Sequence, residues 1–233
     1  MSTTGVGDAE LLQHVDDDFS KRRGSPKRTL WLKGRALFLS DLTLVDMSQG
    51  GAFAHNLFAG EIQQEPETTR VTPFHEAHST RITGRTHIDG GDNRFYNNVF
   101  VGPADLGVYD DVARPVQTGG NVFLNGASPT EGASDPLVAA KFAPGLELTE
   151  TSGHLRLRVR VDPVWEQDRE RRLVTTELLG RAEVTGLPYE QPDGSALQID
   201  TDYGGRSRNA GNPFPGPFAR PALEDATAPV WPK

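Results

Sequence analysis

Four short stretches decide how this chain folds: Arg35-Ala36-Leu37-Phe38-Leu39-Ser40, His55-Asn56-Leu57-Phe58-Ala59-Gly60, Asn97-Asn98-Val99-Phe100-Val101-Gly102 and Gly120-Asn121-Val122-Phe123-Leu124-Asn125. Aligned on their second residue, they return after 20, 42 and 23 residues, the middle interval reading as two units of 21. A short apolar strand at such a period is what a stacked solenoid requires, because each turn leaves an apolar face that only the next turn covers. Antiparallel hairpins would instead bring turn signals every 8–12 residues or so. The spacing therefore predicts an all-β fold built as a parallel β-helix. It places Asn98 and Asn121 at equivalent points of successive turns, where side-chain amides can form a ladder, and stacks Phe100 on Phe123 inside.

Outward from this repeat the pattern changes on both sides. Upstream, Leu11, Leu12, Val15 and Phe19 fall near spacings of three and four, which predicts a short amphipathic helix over 8–20. Asp16-Asp17-Asp18 reads as its solvated face, and Lys21 to Arg28 as a basic linker broken by Gly24 and Pro26. Residues 1–28 are thus an extension unrelated to the β-helix portion over 29–233. A stack opened at its first turn exposes an apolar cross-section and a strand edge, so the helix is expected to cap that end. The same edge invites a homo-oligomer. Downstream, Asp135 to Phe142, with Pro136 in the first turn, predicts a short helix within 134–144. His154 to Val161 alternates apolar and polar residues, the mark of a strand with one wet face. Leu173–Leu179 and Ala196–Ile199 read as further strands, so the C-terminal strands occupy about 145–200 and a wrapping tail about 201–233.

Composition narrows the function classes. The 233 residues carry 24 Lys and Arg against 32 Asp and Glu, a formal charge of −8, which argues against a nucleic-acid surface and a polybasic membrane patch. No apolar run approaches the roughly 18 residues a membrane span needs. With no cysteine, disulfides, thiolate metal sites and a Cys nucleophile all drop out. Met1 to Glu10 is polar and lacks a signal-peptide core, so a cytoplasmic location is expected.

Reaction-capable side chains crowd between Gly50 and Asn98, and Gln49, His55, Thr72, His75, Glu76, His78, Asp92, Asn93 and Arg94 fall in or beside that stretch. His75-Glu76-Ala77-His78 is not a zinc helix, which needs His at i and i+4, and Thr72-Pro73 and Ser79-Thr80 argue for extended chain. No metal is expected. A triad of Ser79, His78 and Asp92 lacks the Gly-x-Ser-x-Gly elbow. The plain alternative is a long loop whose histidines bond backbone carbonyls, the preferred reading for His87 and His154.

Met47-Ser48-Gln49-Gly50-Gly51-Ala52-Phe53-Ala54-His55-Asn56-Leu57, Thr72-Pro73-Phe74-His75-Glu76-Ala77-His78-Ser79-Thr80 and Gly91-Asp92-Asn93-Arg94-Phe95-Tyr96-Asn97-Asn98 resemble consecutive blocks of the β-xylosidases of glycoside hydrolase family 120. Val174 to Gly180, Asp193-Gly194-Ser195, Asp200 to Tyr203 and Gly216-Pro217-Phe218 continue the similarity in order over residues 35–218. The resemblance implies a right-handed parallel β-helix that hydrolyses β-linked xylose with retention and uses no cofactor. Retention needs two carboxyl groups about 5–5.5 Å apart. In the family both lie just before the block where this chain begins to match, so the acid/base Glu would fall near Ser25, yet no Glu occurs between Glu10 and Glu61. The chain is therefore expected to represent the C-terminal part of such an enzyme, inactive alone, with no catalytic residue carried over. The alternative is a carbohydrate-binding or structural β-helix module without catalysis. The candidate xylose or xylo-oligosaccharide contacts are His55, His75, His78, Asp92 and Arg94, side chains able to make charge-assisted bonds to sugar hydroxyls. Glu76 and Asp92, 16 residues apart, are the carboxylates that a turn of this length could bring together as a replacement pair.

Overall fold

The computed structural model describes residues 32–34, 37–39, 41–152, 154–162, 164–167, 170–219 and 226–231. The expected helix over 8–20 and the basic linker lie outside these residues, as does Ser25. Within them the fold is mostly β, with parallel sheets and almost no helix.

The four apolar stretches become β2 (Leu37–Phe38), β5 (Leu57–Phe58), β10 (Val99–Val101) and β12 (Val122–Leu124), which pair in parallel, in that order, within one five-stranded sheet. Register follows the sequence repeat: Phe38 is opposite Phe58, Phe58 opposite Phe100 and Phe100 opposite Phe123. A second parallel sheet forms one step earlier in each unit, from β1 (Leu32–Gly34), β4 (Ala52–Ala54), β9 (Arg94–Tyr96) and β11 (Gln117–Gly119). The third pairing joins β3 (Leu42–Asp46) to β6 (Glu61–Gln64), also in parallel. The chain thus visits the sheets in rotation.

The corner between the first two sheets repeats as a unit. His55, Asn97 and Gly120 each take positive φ (57°, 55° and 65°), and an asparagine follows each of them. Asn98 Oδ1 accepts from the Asn56 backbone N at 2.9 Å and its Nδ2 at 3.1 Å. Asn121 Oδ1 accepts from Asn98 in the same way, at 2.9 and 3.2 Å. The spare amide hydrogens go to Phe53 O and Phe95 O, so the buried amides are satisfied along the stack. Inside, Phe58, Phe100 and Phe123 stack at 5.0 and 4.9 Å, and Phe53 stacks on Phe95 at 4.9 Å. Edge contacts at 6.2–6.3 Å join the two columns. At the far side of this core, Asp46 is buried and accepts from Tyr109 Oη at 2.9 Å and Asn93 Nδ2 at 2.7 Å. Burial, together with the Asp46 carboxylate, pushes the Tyr109 hydroxyl pKa well up.

The 42-residue interval holds one turn, not two. Leu57 pairs directly with Val99, and the extra length leaves the stack as an antiparallel arm, β7 (Glu67–His75) and β8 (Ile82–Ile88). The arm returns through Gly90 and Gly91, at φ 83° and 81°. A Cβ on Gly91 would sit 1.9 Å from Arg114 O, so the return needs glycine for space as well as for backbone angle.

Three further expectations are corrected: Ala196–Ile199 is no strand and makes only isolated bridges, Gln198 with Thr175 and Ala196 with Glu190. The helix within 134–144 is instead strand β13 (Leu137–Ala139), because pairing with Val122–Leu124 outweighs the local preference of a Pro-led, Ala-rich segment. The C-terminal part of the strand expected at 173–179 is a short helix, α2 (Thr176–Leu179), whose N-cap Thr175 accepts from Leu178 N at 3.2 Å. It follows α1 (Val164–Gln167). His154–Val159 is a strand, β15, between β14 (Glu147–Thr151) and β16 (Ala226–Trp231).

The C-terminal half covers the outer faces. Leu157, Val159, Val161 and Trp165 pack on Leu57, Val99, Val122 and Leu124. Val174, Leu179, Tyr189 and Leu197 pack on Ala52 and Ala54.

Candidate functional site

The five candidate sugar contacts fall into three environments. Asp92 and Arg94 lie at the head of β9, 5 % and 2 % exposed. The Arg94 guanidinium bonds the Asp92 carboxylate and carbonyl through Nη1. It donates to Leu179 O at 3.2 Å and Arg181 O at 2.6 Å, and lies 5.1 Å over the Tyr189 ring. The other Asp92 oxygen accepts from Glu183 N at 2.7 Å. Tyr189 Oη donates to Gly50 O at 2.9 Å, and burial pushes that hydroxyl's pKa up. A guanidinium is the group suited to this place, since its fixed fork satisfies several carbonyls at once. The pair rivets residues 179–189 onto the sheet.

His55 is fully buried at the repeating corner. Its Nε2 is 3.3 Å from Asn97 Nδ2, and the charge of Arg208 acts on it. Arg208 itself donates to Phe214 O, Gly216 O and Pro217 O, each at 3.1 Å. Burial, followed by the charges of Arg208 and Arg171, holds the His55 pKa well below the usual histidine range, although the facing carbonyls of Phe214 and Gly216 oppose this. His55 is therefore a neutral ring near neutral pH.

His75 and His78 stand on the arm. His75 is half-buried, with Nδ1 shut off from solvent and without a hydrogen-bond partner among the described residues. His78, at φ 53° in the tip, places Nε2 at 2.6 Å from Glu190 Oε1. Glu76 forms a two-point ion pair with Arg81 at 2.6 and 2.8 Å, and that guanidinium holds its carboxyl below the ordinary range. The suggested Glu76–Asp92 pair is not assembled: one carboxylate is tied up at the arm tip, the other beneath the Arg94 guanidinium. His87 Nδ1 meets Arg70 O at 3.1 Å, as a carbonyl-bonding histidine does.

At the root of the arm the structure gathers residues that spacing did not connect. Gln49 donates to His87 O at 3.1 Å and accepts from Asp89 N at 3.2 Å. Arg114 Nη1 reaches Gln49 Oε1 at 3.1 Å and Asp89 Oδ2 at 3.2 Å, and its Nε lies 3.4 Å from Glu183 Oε1. A guanidinium between two partly exposed carboxylates presents donors and acceptors together, the requirement for a sugar's vicinal hydroxyls. Arg114 and Glu183 were missed because they come from the next turn and from a segment 91 residues beyond Asp92. Among the described residues no cluster of three or more His, Asp or Glu side chains is placed to hold a metal ion. No described helix is long and apolar enough to cross a membrane.

No family model matches the chain, and no curated protein matches it. Among solved structures it is similar to XylC, determined in complex with xylose, with 28 % sequence identity and a TM-score of 0.80. The alignment covers 86 % of this chain and 36 % of XylC, so the chain spans about a third of that protein's length.

Proposed function

We propose that this chain is a portion of a right-handed parallel β-helix of the glycoside hydrolase family 120 kind, and that it binds xylose or xylo-oligosaccharides without hydrolysing them alone. The observation that carries the reading is the similarity to XylC, a protein seen with xylose bound. The rotation of the chain through parallel sheets, with stacked Phe columns and an Asn ladder, supports the β-helix. His75 and His78 on the arm, with Asp89, Arg114 and Glu183 at its root, supply the sugar contacts. His55, Asp92 and Arg94 serve that surface from beneath, by fixing residues 179–217 against the stack.

The expected absence of turnover rests on the engagement of Glu76 and Asp92. A retaining hydrolase needs a carboxylate free to attack and a carboxyl group free to protonate, about 5–5.5 Å apart. Asp92 is 5 % exposed and bonded to Arg94 and Glu183 N, so it reaches no sugar carbon. The test is a xylose titration beside an assay with p-nitrophenyl β-D-xyloside. Saturable binding with no p-nitrophenol release is expected; release of p-nitrophenol by the purified chain overturns the inactive reading.

A further inference from the structure

The arm is attached to the molecule in an unusual way. No residue of 67–88 is buried, and none belongs to the three apolar clusters that hold the rest together. Val71 and Ile82 are 53 % and 48 % exposed, so its apolar side chains do not anchor it. The root is firm: Gln49 is buried and bonds both His87 O and Asp89 N, and Arg114 holds Asp89. At the tip, His78 meets Glu190, and Gly194 leaves room for the imidazole, since a Cβ there would come within 3.2 Å of Nε2. The root thus meets Glu183 through Arg114 and the tip meets Glu190, the two ends of the segment 183–190. Segments with few buried apolar contacts open most easily.

We infer that the β7–β8 arm is a hinged cover over the sugar-binding side, latched shut by the His78–Glu190 contact. Its functional meaning rests on the sugar reading above; the latch itself does not. Opening breaks a polar contact whose partners remain partly exposed, 37 % and 19 % for the two side chains, so both are rehydrated when the arm lifts. The hydrogen bonds between β7 and β8 stay intact, and the arm swings as one ribbon about residues 65–67 and 89–91.

The cysteine-free chain allows a direct test by pulsed electron paramagnetic resonance, with spin labels on Thr80→Cys at the tip and Asp111→Cys on the stack. The parent should give one short distance. Adding His78→Ala or Glu190→Ala should raise the population at longer distance about fivefold, the effect of losing one net hydrogen bond. Glu190→Gln, which keeps an acceptor for the imidazole N–H, should fall between. Identical distance distributions in the parent and both alanine variants overturn the latch. Xylose should return the Glu190→Ala variant to the short distance. A Glu190→Ala variant that opens but ignores xylose supports the latch and overturns the sugar reading instead.

Discussion

Replacing Phe100 by Ala probes the stack at its most confined point. The ring is fully buried, stacked at 5.0 Å on Phe58 and 4.9 Å on Phe123, with the Phe95 edge at 6.2 Å. Truncation removes the transfer free energy of the ring and leaves a cavity that the parallel strands on either side cannot close, because the Asn ladder pins their spacing. Removal of a buried Phe costs about 3–5 kcal/mol, and the two lost stacking partners place this site toward the upper end. Against a total stability of roughly 5–15 kcal/mol, that is a large share. With a urea m-value of about 2–3 kcal/mol per molar, the unfolding midpoint should fall by roughly 1–2 M. Val138→Ala, at a side chain 50 % exposed on β13, is the control and should shift it little. Equal midpoints for the two variants would refute the stacked interior and the register on which it depends.

Arg94→Met should cost about 3–5 kcal/mol, because it strands the buried Asp92 carboxylate and frees Leu179 O and Arg181 O; increased proteolytic cutting between 179 and 190 would report the release, and a resistant variant would show that the rivet is dispensable. His55 has a folded pKa lowered from the unfolded value near 6.5, so the unfolded chain binds the extra proton as the pH drops. Its contribution to stability is therefore retained above about pH 6.5 and lost below it, at up to about 1.4 kcal/mol per pH unit. His55→Asn, which tolerates the positive φ, should flatten the fall in urea midpoint between pH 7.5 and 5.5, and an unchanged slope would remove His55 as its source. Asp92→Asn and Glu76→Gln should leave the p-nitrophenyl β-D-xyloside reading at background, like the parent; parent turnover abolished by either change would reinstate these carboxylates as a catalytic pair.

What was legible in the sequence is what repeats. The recurring Asn-x-Phe pattern dictated the in-register strands and the stacked rings, since matching residues in successive turns have one way to bury their faces together. The arm was illegible because 42 residues fit two turns as well as one turn with a detour, and only the pairing of Leu57 with Val99 separates these. Leu137–Ala139 misled through its composition, and the edge of an existing sheet overrode it. Thr175-Thr176-Glu177 carries a helix-start signal, with Thr175 as N-cap and Glu177 in the first turn. Arg94 and Asp92 stand out in the sequence as polar residues beside an apolar repeat, but their partners come from 85–91 residues further on, beyond the reach of any spacing argument.

Recognition of xylose at the arm is the proposal on which the function rests. A heteronuclear NMR titration of the isotopically labelled protein tests it most directly. Addition of xylose to roughly 50 mM, enough to saturate a site of about millimolar affinity, should shift the resonances of His75, His78, Asp89 and Arg114 along saturable curves. Resonances of the buried column, Phe58, Phe100 and Phe123, should stay in place. A spectrum unchanged at that concentration, or shifts confined to residues away from the arm and its root, would contradict the account.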